Sequence, residues 1–191
     1  MNAFESVVAM LLRHEGYWVH PNFKVELTKE EKRRIGKHSA PRWEIDVLAF
    51  HAERNEVLVV ECKSFLNSRG VAFRNGQFAP QETYKLFEFP DLRQVVLMRL
   101  ATQLQELQMC RPSPTVVLCL AAGHIWTGTD GAEFQRHFDD KGWKLFGPDW
   151  IADRLAAAAV SKYENDVLFI VTKLLAERRR KPRESSERAN A

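Results

Sequence analysis

Two opposite charges, Glu61 and Lys63, stand at the end of an apolar run that begins after Glu56. Three valines within residues 57–60 favour a β-strand, and the length of the run suits one. Because side chains alternate along a strand, Glu61 and Lys63 would share one face while Cys62 points to the other. Burying a carboxylate and an ammonium there is unfavourable unless the two are paired or bind an ion. Two interpretations therefore stand: a charged site, or an edge strand whose end reaches water.

A third charged residue, Asp46, interrupts the preceding apolar run, residues 43–50. The polar segment 51–55 that joins the two runs is short enough for a hairpin, which makes the runs antiparallel neighbours. A hairpin can bring Asp46 alongside Glu61 and Lys63. Two carboxylates held together repel each other, and a divalent cation with oxygen ligands is the usual resolution. The spacing thus predicts a cation site in which the lysine orients or activates a water molecule.

The order Asp46, fourteen intervening residues and Glu61-Cys62-Lys63 resembles the motif of the PD-(D/E)xK nuclease superfamily, which has the restriction-endonuclease-like fold. Ile45 replaces the proline that precedes the acid in the family pattern, as in many divergent members. The resemblance implies that Asp46, Glu61 and Lys63 are catalytic. It also implies one Mg²⁺ ion, replaceable by Mn²⁺, bound by Asp46, Glu61 and the backbone carbonyl of Cys62. Lys63 would position the attacking water in the hydrolysis of a DNA phosphodiester, with a 5′-phosphate product.

Glu5 is the candidate for a further metal ligand. It lies near the start of an amphipathic helix predicted over residues 2–14, which Gly16 ends. Many members of the superfamily carry a metal-side glutamate on this first helix, so the resemblance implies that Glu5 supports the same ion or a second one. The alternative is an acid that complements the helix dipole, which is a very common placement.

The predicted elements follow the order helix, strand, strand, strand, helix, strand, helix, strand. Over residues 2–121 this order resembles the αβββαβ core of the superfamily, an α/β fold with a mixed central sheet flanked by helices, and C-terminal helices follow. We therefore predict one nuclease-like domain over residues 1–177, with an insertion over residues 65–90 that holds a small hairpin at Asn75-Gly76. The basic segment 178–191 is predicted to be a disordered tail.

Basic residues between residues 28 and 42 are predicted to contact phosphate groups: Lys32, Arg33, Arg34, Lys37 and Arg42. The alternative is a solvated loop or short surface helix, which is the commoner explanation for a run of charges. In the insertion, aromatic residues together with Arg69, Arg74 and Lys85 can stack on unpaired bases. We favour the alternative, in which these aromatics pack the insertion onto the body or form a dimer contact.

A long helix is predicted over residues 91–109, with Asp91 as its N-cap. In the superfamily the helix after the Glu-x-Lys strand often offers a polar residue towards the phosphate, and Gln94 and Gln103 are the candidates for this support. The alternative is an exposed helix glutamine without any such role. Residues 115–121 form an uninterrupted apolar run, which predicts a central strand parallel to a neighbour.

The net charge, the cysteines and the motifs that are missing from the sequence exclude some functional classes, but they do not identify one. The net charge of +3 and the isoelectric point near 8.8 are compatible with nucleic acid but do not require it. Three cysteines without a zinc pattern predict reduced thiols in a cytoplasmic protein, and alternation makes Cys62 a core thiol. The absence of a His-x-x-x-His pair and of a glycine-rich phosphate loop argues against a zinc protease and an NTPase. We expect no signal peptide and no membrane contact, since no apolar run approaches ~20 residues.

Together these features predict a Mg²⁺-dependent endonuclease that hydrolyses DNA phosphodiester bonds. Two alternatives remain open: a catalytically inactive nuclease-fold module for nucleic-acid binding or assembly, and a nuclease subunit of a larger complex. DNA is the expected partner, and the chain could work as a homodimer or within such a complex.

Overall fold

The computed structural model describes residues 2–36, 42–160 and 166–180, with side chains up to residue 177. The chain divides into two compact units, Met1–Pro148 and Asp149–Ala191. The single nuclease-like domain over residues 1–177 stays a prediction. Of the predicted tail, residues 178–180 continue the last helix, and residues 181–191 lie outside the described part of the chain.

A mixed five-stranded sheet forms the centre of the first unit, with strand order β1-β2-β3-β6-β7. Its strands are β1 (Trp18–Val25), β2 (Trp43–His51), β3 (Glu56–Lys63), β6 (Thr115–Ala122) and β7 (Lys144–Phe146). β1 pairs with β2 and β2 pairs with β3 in antiparallel orientation, whereas β3 pairs with β6 and β6 pairs with β7 in parallel orientation. The predicted hairpin and the predicted parallel central strand are both confirmed. The nuclease-specific core remains a prediction within this α/β architecture.

Helices complete the two units. They are α1 (Ala3–His14), α2 (Lys29–Arg34), α3 (Lys85–Glu88), α4 (Pro90–Glu106), α5 (Gly131–Lys141), α6 (Pro148–Val160) and α7 (Val167–Arg180). The predicted cap of α4 is wrong: the helix begins at Pro90, one residue before Asp91, because proline has the helical φ already and needs no N–H in the first turn. It ends at Glu106, and Gln108 turns the chain with a φ of 56°.

Helices cover both faces of the sheet in the first unit. Val57 and Val59 belong to the hydrophobic cluster that includes Leu100 of α4. Leu58 and Val60 face the other way and are equally buried, on the side where α1 contacts β1, β2 and β3. β3 is thus apolar on both faces until its last residues, which is why its sequence reads as a continuous apolar run.

The insertion after β3 packs onto the body through its aromatic residues. It contains β4 (Ala72–Arg74), β5 (Gln77–Ala79) and a 3₁₀ turn, Gln81–Thr83. Asn75 and Gly76 join β4 to β5 with φ angles of 52° and 76°, the left-handed pair of a tight hairpin turn, so the predicted hairpin is confirmed. Phe73 and Phe78 are fully buried and contact Phe134 of α5. The packing interpretation of these aromatics is therefore confirmed.

Within the described residues, no helix combines the length and the apolar character that a membrane crossing needs.

Candidate active site

Asp46 lies where the hydrogen-bonding ladders on both sides of β2 are interrupted. Between β1 and β2 the paired residues include Pro21 with Val47 and Phe23 with Ile45, but the rung that would join Asn22 to Asp46 is missing. Asn22 takes a left-handed φ of 51°, which displaces the chain at this rung. On the other side, the β2–β3 ladder stops at Val47, one residue before Asp46 would pair. The aspartate is thus released from regular pairing on both edges of its strand.

Beyond the last residue pair of the β2–β3 ladder, the carboxylate of Asp46 accepts a hydrogen bond from β3. The backbone N–H of Cys62 donates to Asp46 Oδ2 at 2.8 Å. This hydrogen bond joins the predicted acid to the Glu-x-Lys strand. The N–H and the carbonyl of one strand residue point to the same neighbouring strand, so the carbonyl of Cys62 must lie on the Asp46 side of β3. The carbonyl of the next residue, Lys63, points to the other side and accepts the N–H of Gly123 at 2.9 Å.

Glu61 and Lys63 form an ion pair along one face of β3. Lys63 Nζ donates to Glu61 Oε1 at 2.6 Å, and the side chain of Lys63 is only 18% exposed and that of Glu61 only 21%. β3 has β2 on one edge and β6 on the other, so the interpretation as an edge strand that ends in water is wrong. The charges are paired because the strand holds them in a half-buried position.

Glu5 approaches the same group of charges from α1, and its carboxylate is engaged by the start of that helix. Glu5 is 8% exposed, and its two oxygens accept from the backbone N–H of Asn2 at 2.8 Å and from Asn2 Nδ2 at 2.6 Å. The Asn2 side chain caps the Glu5 N–H in return, which forms a capping box. The local contacts therefore assign Glu5 a helix-capping role, and its role as a metal ligand stays a prediction.

The pKa of Asp46 is raised above its ordinary value, mainly because the carboxylate is buried. Burial is the largest cause of its rise from 3.8 to about 6, and the hydrogen bond from the Cys62 N–H opposes that rise only in part. The negative charges of Glu61 and Glu5 contribute to the same rise, while the charge of Lys63 opposes it. Asp46, Glu61, Lys63 and Glu5 thus form one electrostatic group, which a cation would stabilise.

Tyr84 adjoins this group from the insertion. Its ring centroid is 6.0 Å from Lys63 Nζ, and its side chain is 1% exposed. Burial raises the pKa of the Tyr84 phenol well above its usual value, and the charge of Glu61 adds to that rise. Local spacing gave no signal for this neighbour, because the insertion must fold back over the end of β3 before Tyr84 can contact Lys63.

The oxygen atoms of Asp46 and Glu61 fit a sparse magnesium site. Each carboxylate uses one oxygen in the contacts above, which leaves Asp46 Oδ1 and Glu61 Oε2 without a partner in the described part of the chain. Mg²⁺ takes one or two carboxylates and keeps several waters, so two such oxygens suffice. Among the described residues, no three His, Cys, Asp or Glu side chains are arranged to hold a metal ion together. The donor set therefore suits a hydrated Mg²⁺ and not an all-protein cage.

Cys62 is a buried thiol, as predicted from its place between the two charged residues. It is 7% exposed, and burial together with the charge of Asp46 raises the pKa of the thiol well above its usual value. A thiol of this kind stays protonated and is a poor nucleophile or metal ligand. Only its backbone is suited to a role in the site.

The predicted phosphate-contacting residues lie on a short surface helix. Lys32, Arg33 and Arg34 form the last turn of α2, Arg42 pairs with Glu26 at 3.2 Å, and Lys37 lies outside the described residues. Such a helix is the alternative that the sequence left open. Nothing in these contacts joins the basic residues to Asp46, Glu61 or Lys63, and their binding of nucleic acid stays a prediction.

The two glutamines of α4 make contacts that do not involve the carboxylates. Gln103 accepts the N–H of Glu26 at 2.8 Å and donates to the carbonyl of Lys24 at 3.0 Å, which ties α4 to the edge strand β1. Gln94 Oε1 accepts from Arg34 at 3.4 Å. The amide of Gln103 is thus occupied by the backbone near the end of β1, and the proposed polar support by either residue stays a prediction.

Comparison with known proteins identifies no family for this chain. No protein-family model matches the chain, and no curated protein matches it. A solved structure with similarity to it is the crystal structure of AF1548, a protein of unknown function. The similarity has a TM-score of 0.41 at 16% identity and covers 91% of this chain and 78% of that chain. The resemblance to the nuclease superfamily accordingly remains a prediction from the residues themselves.

Proposed function

We propose that the chain is a Mg²⁺-dependent endonuclease that hydrolyses DNA phosphodiester bonds, with Asp46, Glu61 and Lys63 as its catalytic residues. The observation that carries the proposal is the 2.8 Å hydrogen bond from the Cys62 N–H to Asp46. It joins the acid of one strand to the Glu-x-Lys sequence of the next, as the motif of the PD-(D/E)xK superfamily would require. The three free cysteines are consistent with a reducing, cytoplasmic setting.

Each residue of the site would have a role in the reaction that follows from its chemistry. Asp46 and Glu61 would hold the ion through Oδ1 and Oε2, and the Cys62 carbonyl would add a neutral oxygen on the same side of β3. A bound Mg²⁺ ion would supply Lewis-acid polarisation of the phosphodiester and a lowered pKa for water. Lys63 would orient the attacking water and stabilise the negative charge that develops on the phosphate.

The first test compares Lys63→Ala with the parent in the cleavage of plasmid, single-stranded and branched DNA, with Mg²⁺ or Mn²⁺. We expect the variant to lose about 100-fold or more in rate, because it lacks the donor nearest to the developing charge. Its DNA affinity in EDTA should remain close to that of the parent. Lys141→Ala, which removes an exposed lysine from the end of α5, is the matched control and should cleave normally.

The outcomes separate the proposal from its alternatives. Cleavage by Lys63→Ala at the parental rate would place the reaction elsewhere. Binding of DNA by the parent without cleavage, in either metal, would favour a module that binds or assembles. Cleavage that appears only after a co-purified partner is added would identify a subunit of a larger complex.

A further inference from the structure

Two arginines enclose a tryptophan in the segments that follow β3 and β6. The guanidinium carbon of Arg69 is 3.8 Å from the centroid of the Trp126 ring, and that of Arg74 is 4.0 Å from it. At such stacking distances each face of an indole has room for one guanidinium over its centre, so the two arginines must occupy opposite faces. We call this group the arginine stack: Arg69, Trp126 and Arg74.

Backbone hydrogen bonds hold the arginine stack in place. The Val71 N–H donates to the carbonyl of His124, and the Trp126 N–H donates to the carbonyl of Val71, both at 2.9 Å. The carbonyl of Trp126 accepts the N–H of Thr129 at 2.9 Å. The segment after β3 and the segment after β6 are therefore joined directly beside the indole, which makes the ring a fixed platform.

Two glycines allow the chain to approach the indole this closely. Gly70 has a φ of 92°, and a Cβ there would lie 2.9 Å from the Trp126 backbone nitrogen. A Cβ at Gly128 would lie 2.4 Å from the Trp126 ring and 2.8 Å from Nη2 of Arg74. Any larger residue at either position would displace the platform or one of its arginines. The stack is thus built into the backbone and does not depend on side-chain flexibility alone.

The arginine stack presents positive charge without a carboxylate to balance it. Arg69 and Arg74 are exposed, and neither makes an ion pair with any residue that the structure describes. Arg74 Nε donates to the carbonyl of Gly128 at 3.2 Å, which fixes the group and leaves its terminal N–H donors available. Two like charges fixed on one ring repel each other, and an anion between or beside them would relieve that repulsion. The planar guanidinium fits phosphate oxygens with two parallel hydrogen bonds.

Both faces of Trp126 are already covered, so the indole itself has no face left on which a base could stack. The donors that remain are charged guanidinium N–H groups, which suit the negative oxygens of phosphate. The stack also lies at the edge of the sheet that carries Lys63, because β3 and β6 run parallel and both end there. Arg69 follows Lys63 by six positions in the chain, which limits the distance between their Cα atoms to about 20 Å.

We propose that the arginine stack binds the phosphates of a nucleic-acid strand a few nucleotides from the bond at Asp46, Glu61 and Lys63. The nucleic acid as ligand rests on the proposed function, since the carboxylate site would act on the same strand. A rise of about 3.4 Å per nucleotide puts the stack within roughly six nucleotides of Lys63. It would hold the strand and set its register, and it would not select a sequence.

The test measures binding in EDTA, where cleavage does not interfere. Labelled single-stranded and duplex DNA are titrated with the parent, Arg69→Gln, Arg74→Gln and the double variant over a series of salt concentrations. Each substitution should weaken binding by the same factor for every base sequence and reduce the slope of log K against log[salt] by about one. Arg13→Gln is the control for loss of one exposed charge, and it should leave the slope unchanged. It lies in the last turn of α1, four residues before Tyr17, whose hydroxyl contacts Glu56 at the start of β3.

Each result either supports or overturns the proposal. If the double variant keeps the affinity and the salt slope of the parent, the stack has only a structural role. The same conclusion follows if the parent binds no DNA. A loss of affinity that varies with base composition at constant salt slope would mean stacking on bases instead. The test is independent of cleavage. If the parent does not cleave DNA but the arginine variants have a smaller salt slope than the parent, the proposed nuclease activity is wrong and the proposed phosphate site is still supported. Trp126→Leu, with its fold checked by circular dichroism, should lose affinity although both arginines remain, because they are no longer held.

Discussion

At Asp46, hydrogen bonding and electrostatics act in opposite directions. The hydrogen bond from the Cys62 N–H favours the ionised carboxylate, yet burial and the charges of Glu61 and Glu5 outweigh it and raise the pKa to about 6. An acid with a raised pKa binds its proton more tightly in the folded chain than in the unfolded one. Its ionisation therefore lowers the stability of the cation-free protein as the pH rises above the unfolded value.

Replacing Asp46 by Asn should consequently raise the Tm of the protein in EDTA at about pH 8, because asparagine keeps an acceptor for the Cys62 N–H and carries no charge. A gain of about 1 kcal/mol would correspond to roughly 2–4 °C. The gain should shrink as the pH falls towards about 3, where the aspartate is largely protonated in both the folded and the unfolded state. Melting curves followed by circular dichroism across this pH range provide the measurement.

Asp140→Asn is the matched control, since it neutralises an exposed aspartate on α5 and should leave the Tm nearly unchanged. A lower Tm for Asp46→Asn than for the parent at about pH 8 would contradict the unfavourable charge inferred here.

Short-range geometry explains which site residues the sequence could predict. Strand alternation put Glu61 and Lys63 on one face, and a short hairpin brought Asp46 to them. The pairing of Glu5 with Asn2 was equally local, but it was not predicted, because a capping box and a metal ligand call for the same residue type near a helix start. Trp126 left no signal at all, since its two arginines come from a different segment and meet it only in the folded chain.

At the scale of elements, the start of β3 is held in place by the polar contacts of Glu56. Glu56 accepts from the Tyr17 hydroxyl at 2.6 Å and from Lys144 of β7 at 2.8 Å, and Arg54 lies 3.5 Å away. These contacts join the chain entering β1, the β2–β3 turn and the last strand of the sheet. They hold the pKa of Glu56 below its ordinary value, although its burial opposes them.

Glu56→Gln should therefore destabilise the protein at neutral pH. A lowered pKa contributes stability above the unfolded value near 4.5, and that contribution is lost as the pH falls through the folded value. We expect a loss of about 1–3 kcal/mol at about pH 7, because the change weakens hydrogen bonds between charged groups, and a smaller difference at about pH 3. Urea unfolding at both pH values measures it, and a difference that does not depend on pH would point to packing instead of charge.

Element boundaries were predicted less well than element types, for reasons visible in the backbone. The sequence predicts one first strand from residues 17–19 and 23–27, with Pro21 breaking or bulging it, whereas β1 runs through this proline from Trp18 to Val25. Proline is tolerated there because β1 is an edge strand and its missing N–H costs no ladder bond. The irregularity in β1 is the left-handed φ of Asn22, one residue later. Because of it, Asn22 and Asp46 do not pair in the β1–β2 ladder.

For the whole molecule, the proposed function makes stability depend on cation concentration. A ligand that binds only the folded state stabilises it by RT ln(1 + [L]/Kd), or about 2.7 kcal/mol at a hundredfold excess over Kd. Added Mg²⁺ should therefore raise the Tm of the full chain in a saturable way, and EDTA should reverse the rise. Asp46→Asn should respond much less, while Arg69→Gln should respond like the parent. An equal rise in all three proteins would indicate general ionic effects and no specific site.

The ion pair between Lys63 and Glu61 has a consequence for how the site would fill. Any divalent ion that binds Glu61 through Oε2 shares that carboxylate with the ammonium on Oε1, so the two cations repel each other across one group. A monovalent ion such as Na⁺ offers Glu61 no more charge than the ammonium does, and it would leave the lysine in place. Only a stronger cation would release that ammonium towards an incoming phosphate, so the lysine would become available just when the metal is present to use it.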